Sequence, residues 1–130
     1  MNQDIHQADL REAAAIRAGV LTPVPYEYRG RREVDIEIFQ PEFTSVCPMT
    51  GLPDFGTITI KYRPKDQIVE LKSLKYYLLQ YRNAGIFYEH TVNRILDDLV
   101  SVLSPGKMEV IGDFTARGGI STRVTAVFEG

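Results

Sequence analysis

Thr57-Ile58-Thr59-Ile60-Lys61-Tyr62 alternates side chains with period two and is rich in β-branched residues. Successive side chains on a strand point to opposite faces, so this stretch reads as a strand with one face on a core. Pro64-Lys65-Asp66 ends it. Upstream, Val34, Ile36 and Ile38 alternate with Glu33, Asp35 and Glu37 and give a second strand. Pro41 interrupts that strand, as a bulge or an edge would, and it resumes through Phe43 to Val46. Between the two strands lies Cys47-Pro48-Met49-Thr50-Gly51-Leu52-Pro53-Asp54, whose prolines and glycine read as a loop.

Downstream the period changes. Leu71, Leu74, Leu78 and Tyr81 recur at helical spacing within Glu70 to Arg82. Val92, Ile95, Leu96, Leu99, Val100 and Leu103 form a stronger stripe, which Ser104-Pro105-Gly106 stops. Two more strands, Met108 to Thr115 and Ile120 to Phe128, flank Ala116-Arg117-Gly118-Gly119, a hairpin connection. The order is strand, strand, helix, helix, strand, strand. It predicts an α+β domain with two helices on one face of an antiparallel sheet. Such a sheet leaves two open edges, which invite pairing with other subunits or closure into a shared barrel.

Residues 1–30 read as an N-terminal extension, with an alanine-rich stretch from Asp9 to Ala18 of helical character and Pro23 and Pro25 breaking it. Residues 31–130 then form a single domain. A chain of 130 residues suffices for one core. Hydrophobic content of 44% and charged content of 25% are ordinary, and a net charge of −2 argues against a nucleic-acid binder. One cysteine forms no internal disulfide, and the polar start Met1-Asn2-Gln3-Asp4 carries no signal-peptide pattern. No apolar run has the length of a membrane span. A cytoplasmic setting is expected.

Cys47 sits where a strand gives way to the Pro/Gly loop, and Asp54 lies at the loop's far end. A lone cysteine is commonly a small buried hydrophobe, and an aspartate after proline is commonly a turn residue. If the loop folds back, however, a thiolate nucleophile and an acid face one pocket. Lys72 and Lys75 share a helical face, either as a solvated surface or as a phosphate clamp. Glu89 opens the second helix, where it either favours the helix dipole or accepts two N–H donors of a purine-like ring. Arg117-Gly118-Gly119 is either an ordinary turn or a phosphate approach. No G-x-G-x-x-G follows a strand, and one cysteine with His6 and His90 leaves little for a Cys/His zinc site.

Three segments carry a family resemblance. Glu70-Leu71-Lys72-Ser73-Leu74-Lys75-Tyr76-Tyr77 matches, without a mismatch, the signature of the QueF-type nitrile oxidoreductases, the 7-cyano-7-deazaguanine reductases. Thr44 to Phe55 resembles that family's nucleophile segment, Cys-to-Asp spacing included, and Phe114 to Ile120 matches as well. The resemblance runs from about residue 33 to the C-terminus and points to the short, single-module subgroup. It implies a tunnelling fold (T-fold) assembled into rings, two stacked pentamers with active sites between subunits. The implied reaction reduces a nitrile to a primary amine with two NADPH, in queuosine biosynthesis, without a metal. Cys47 would form a thioimide and Asp54 would protonate its nitrogen. Val69, Glu70 and Leu71 would line the substrate, Glu89 would grip its ring, and Lys72, Lys75 and Arg117 would hold NADPH phosphates. Tyr88 stands beside the substrate where the family commonly has histidine. His90, one residue on, is about 100° further round the helix and does not substitute for it.

The other implied partners are the deazapurine and further copies of the chain, with neither nucleic acid nor membrane. Two competing functions are a zinc-dependent GTP cyclohydrolase-like hydrolase, which shares the T-fold, and a non-catalytic purine- or pterin-binding oligomer that keeps Glu89.

Overall fold

A computed structural model describes residues 15–130. Its elements are β1 (Pro23–Pro25), β2 (Ile36–Val46), β3 (Pro53–Arg63), β4 (Gln67–Val69), α1 (Leu71–Leu79), α2 (Tyr88–Leu103), β5 (Lys107–Arg117) and β6 (Ile120–Glu129). The main sheet is antiparallel in the order β2-β3-β5-β6. The four predicted strands and two helices appear in the predicted order, with the short β1 and β4 added as a separate ribbon, and β2 and β6 are the open edges.

The core lies between the helices and one face of this sheet. Ile58, Ile60 and Val110 face it from β3 and β5, while Val92, Ile95 and Leu99 enter it from α2, each 1% exposed or less. Each such side chain contributes about 1.5–3 kcal/mol by leaving water. The helix stripe and the strand alternation read from the sequence thus meet in one apolar layer. Gly112 lets them meet closely. A Cβ there would stand 2.6 Å from Phe114 Cε2 and 2.8 Å from Val92 Cγ2. Pro41 lies in the register shift between Gln40 and Phe43, the bulge its ring predicts.

Helix α1 starts on Glu70, whose carboxylate accepts the backbone N–H groups of Lys72 (2.7 Å) and Ser73 (2.8 Å). These donors have no partner inside the helix, so the side chain caps them. The helix tightens into a 3-10 turn at Gln80–Asn83. Helix α2 ends at Ser104 in the left-handed conformation, with Pro105 beyond it.

The described part of residues 1–30 is docked on the domain. Ile16 and Leu21 are each 4% exposed and belong to the core. Pro23 to Pro25, expected only to break a helix, forms β1 and pairs antiparallel with β4. Proline is tolerated there because a two-stranded ribbon leaves one edge of each strand free of ladder bonds. Arg94 Nη2 donates to the Ile16 carbonyl (2.5 Å), and Arg94 Nε bonds Asp98 Oδ2 (3.0 Å). The Tyr77 hydroxyl donates to the same Asp98 oxygen (2.5 Å) and meets the Tyr81 hydroxyl (2.8 Å). This buried network ties the N-terminal segment, α1 and α2 together. The helical stretch expected from Asp9 lies mostly outside the described residues, with a 3-10 turn at Ala18–Val20.

Candidate active site

The β2–β3 hairpin builds the site. The Cys47 N–H donates to the Leu52 carbonyl (2.9 Å), and the Cys47 carbonyl accepts from the Gly51 N–H (2.8 Å). Gly51 has a φ of 72°, a conformation that suits glycine. The loop is shorter than the sequence indicates. Pro53 and Asp54 already belong to β3, paired with Val46 and Ser45. Asp54 is therefore fixed by a strand ladder and not by a turn. Its side chain is only 5% exposed.

A second connection brings in the start of α2. Val46 N–H donates to the Ala84 carbonyl (3.0 Å), and its carbonyl accepts from the Ile86 N–H (3.1 Å). This staple lays residues 84–86 against the end of β2 and sets Phe87, Tyr88 and Glu89 beside Cys47. The β5–β6 turn supplies the last wall. Gly118 and Gly119 both have positive φ, 59° and 83°, as a tight hairpin with the twist of its strands requires. Arg117, just before them, donates from Nη1 to Asp54 Oδ1 (2.5 Å) and to the Pro53 carbonyl (3.3 Å). Cys47, Asp54, Phe87, Tyr88, Glu89 and Arg117 line one cavity of about 330 Å³.

Cys47 ionises below the ordinary thiol value. Burial, the largest influence, opposes the thiolate, but hydrogen bonds from the Thr50 side chain and the Met49 and Thr50 backbone outweigh it. Thr50 Oγ1 accepts from the Leu52 N–H (3.2 Å), which leaves its own proton for the sulfur. The negative Asp54 works against the thiolate. The hairpin donors are thus the groups that favour Cys47 ionisation.

The Tyr88 ring stacks on Phe114, centroids 3.8 Å apart and planes 7° from parallel. Its hydroxyl hydrogen-bonds Asp54. Burial and that bond push the phenol up to about 12, so Tyr88 acts as a neutral donor. Thr50 and Phe114 escaped the sequence reading. Thr50 had a readable signal, a hydroxyl three residues after the thiol in a tight loop; Phe114 opens a family-matching segment, but nothing local marks it as the stacking partner of Tyr88.

The remaining expected site residues lie elsewhere on this chain. Val69 is in β4 and 5% exposed, part of the core. Glu70 is committed to capping α1. Leu71, Lys72 and Lys75 are exposed on α1. None of these lines the Cys47 cavity. Arg117, expected at a NADPH phosphate, is paired with Asp54. Lys72 and Lys75 are both exposed, with no ion pair among the described residues, and Lys75 Nζ stands 5.1 Å from the Tyr76 ring centre. No group of three His, Cys, Asp or Glu side chains among the described residues is placed to hold a metal. No helix among them is long and apolar enough to cross a membrane.

Comparison with known proteins agrees with this architecture. A family model described as QueF-like protein matches residues 53–129. The chain is 63% identical over 98 residues to the NADPH-dependent 7-cyano-7-deazaguanine reductase of Chloroherpeton thalassium, covering 75% of this chain and 84% of that one. It is 60% identical over 110 residues to the protein of the same name from Caldicellulosiruptor bescii, covering 85% and 83%. Among solved structures, the archaeosine synthase QueF-Like in its apo form superposes with a TM-score of 0.66 at 20% identity, over 75% of this chain and 94% of that one. That likeness speaks for the fold alone. With more than half of its residues matched by the family model and relatives this similar over most of both chains, the protein is a member of the QueF family.

Proposed function

We propose that this protein reduces the nitrile of 7-cyano-7-deazaguanine to the primary amine 7-aminomethyl-7-deazaguanine with two equivalents of NADPH, a step of queuosine biosynthesis. The name shared by its relatives supports the reaction. The observation that carries the mechanism is one cavity lined by Cys47, Asp54, Tyr88 and Glu89.

Glu89, exposed in the first turn of α2, accepts N–H donors of the deazaguanine ring and sets the nitrile towards Cys47. The Cys47 sulfur attacks the nitrile carbon. The S–C bond forms, one C–N π bond breaks, and the nitrogen takes a proton from Asp54 to give a thioimide. In this reactive pair the proton lost by Cys47 resides on Asp54, so atoms and charge balance. Arg117 must first leave Asp54 Oδ1, and a ligand entering the cavity displaces it. NADPH, when bound, would supply hydride to the thioimide carbon and then to the imine, whose nitrogen takes the second proton from solvent. Between these reductions Cys47 leaves as the thiolate, which its hairpin donors favour. Tyr88 holds Asp54 by a hydrogen bond, in the place where the family commonly has histidine.

Leu71, Lys72 and Lys75, exposed on α1, enter this scheme from another copy of the chain, while buried Val69 and the capping Glu70 hold the start of that helix. Two observations support an assembly: β2 and β6 have open edges, and the solvent-facing Phe39, Ile120 and Val127 are more than half exposed. A dimer of pentamers with sites between subunits brings α1 of one copy to the Cys47 cavity of the next. The scheme requires no metal. It sets the protein in the cytoplasm with a free nucleobase as substrate, so neither nucleic acid nor membrane is a direct partner.

Mixing the protein with 7-cyano-7-deazaguanine in the absence of NADPH should raise its intact mass by one molecule of nitrile. Absence of an adduct, or an adduct on Cys47→Ala, refutes the nucleophile. Nitrile-dependent NADPH consumption separates the reductase from a non-catalytic binder. Stoichiometric zinc in the purified protein would favour a cyclohydrolase-like hydrolase.

A further inference from the structure

Ser45 is fully buried, at 0% exposure. Among the described residues, its Oγ is the buried side-chain oxygen or nitrogen without a hydrogen-bond partner. Two other buried hydroxyls are satisfied: Ser73 Oγ donates to the Glu70 carbonyl (2.7 Å), and Thr91 Oγ1 donates to the Phe87 carbonyl (3.1 Å). A buried hydroxyl left unpaired destabilises a fold, and alanine would occupy the same place without that cost. A cost carried beside a reactive centre points to use there.

The register says what that use is. Ser45 lies directly across the β2–β3 ladder from Asp54. Opposite residues of an antiparallel pair project to the same face with Cβ atoms about 4.5–5.5 Å apart. Cys47 is two residues further along the chain from Ser45. Asp54 is held in the ligand-free protein by Arg117 on Oδ1 and by Tyr88. When a ligand displaces Arg117 and Asp54 gives up its proton, a buried carboxylate is left without its cation. An ionised carboxylate has about four acceptor positions, so room remains for another donor.

We infer that Ser45 is a positioning residue for Asp54, turning its hydroxyl onto the carboxylate as the proton is delivered. No covalent bond to Ser45 forms or breaks; its O–H donates a hydrogen bond and keeps its proton. This rests on the assignment of Asp54 as proton donor made above.

The test uses the full chain as Ser45→Ala and Ser45→Thr, beside the unaltered protein. Adduct formation with 7-cyano-7-deazaguanine is followed in a single turnover across nitrile concentrations, and thermal unfolding is recorded for each. Ser45→Ala should melt at the same temperature or higher. Its maximal rate of adduct formation should fall about tenfold, the loss expected for a hydrogen bond to a charged group. Its half-saturating nitrile concentration should stay unchanged, and Ser45→Thr should recover most of the rate. A rate for Ser45→Ala within about twofold of the unaltered protein overturns the inference, since one hydrogen bond to a charge is expected to exceed that. A slow Ser45→Ala that also melts lower and is not rescued by Ser45→Thr assigns Ser45 to packing and overturns it as well. If the unaltered protein forms no adduct, the reading of Cys47 and Asp54 fails instead.

Discussion

Thr50→Val removes the hydroxyl that donates to Cys47 while keeping the shape of the side chain. A hydrogen bond to a charged group is worth about 1.5–3 kcal/mol. Cys47 is partly exposed, so the lower end applies, and about 1.4 kcal/mol corresponds to one pKa unit. Losing a donor to the thiolate raises the thiol pKa. At a pH below that value the thiolate fraction falls about tenfold. The thiolate that remains is more basic and more nucleophilic. With a Brønsted slope of about 0.4–0.5, one unit returns roughly threefold of the rate per thiolate. The net expectation is adduct formation about threefold slower near pH 7, and about threefold faster where both proteins are fully ionised. The two pH–rate curves therefore cross. Iodoacetamide alkylation of Cys47 with pH in the ligand-free protein should show the same upward shift of about one unit. Thr50→Ser keeps the hydroxyl, and also the acceptor for the Leu52 N–H, and should behave as the unaltered protein. An alkylation midpoint that does not move in Thr50→Val would show that the backbone amides alone favour the thiolate.

Tyr88→Phe keeps the stack on Phe114 and removes the donor to Asp54. Adduct formation should slow by about tenfold. An unchanged rate would remove Tyr88 from the mechanism. Leu99→Ala empties a fully buried position in α2 and should cost about 2–5 kcal/mol, read as a lower urea midpoint at constant slope. A cost under about 1 kcal/mol would mean that the core collapses onto the space, against the close packing seen at Gly112.

Much of the fold was legible because its signals are local. The alternation at Thr57 to Tyr62 and the stripe from Val92 to Leu103 each lie within one element, and each needs only a core to face. The strand Pro23–Pro25 was not legible. Its pairing depends on Gln67–Val69, more than forty residues away, and its prolines argue locally for a break. The end of the Cys47 loop is likewise set by pairing outside the loop. Pro53 reads as a turn residue, yet the register with Val46 carries it into β3.

At the site, the sequence determined that a thiol, a carboxyl, an aromatic hydroxyl and a glutamate are present, in segments of family-specific spacing. The tertiary structure decided how they meet. Val46 gathers the start of α2 beside Cys47 through two backbone hydrogen bonds, and the β5–β6 turn brings Arg117 onto Asp54 across 63 positions of chain. It also decided that Cys47 ionises through hairpin donors and that Ser45 lies unpaired opposite Asp54. These are through-space relations between elements far apart in sequence. Hydrogen-bond direction and burial appear only once the chain has closed on itself, so no local pattern of residue types encodes them.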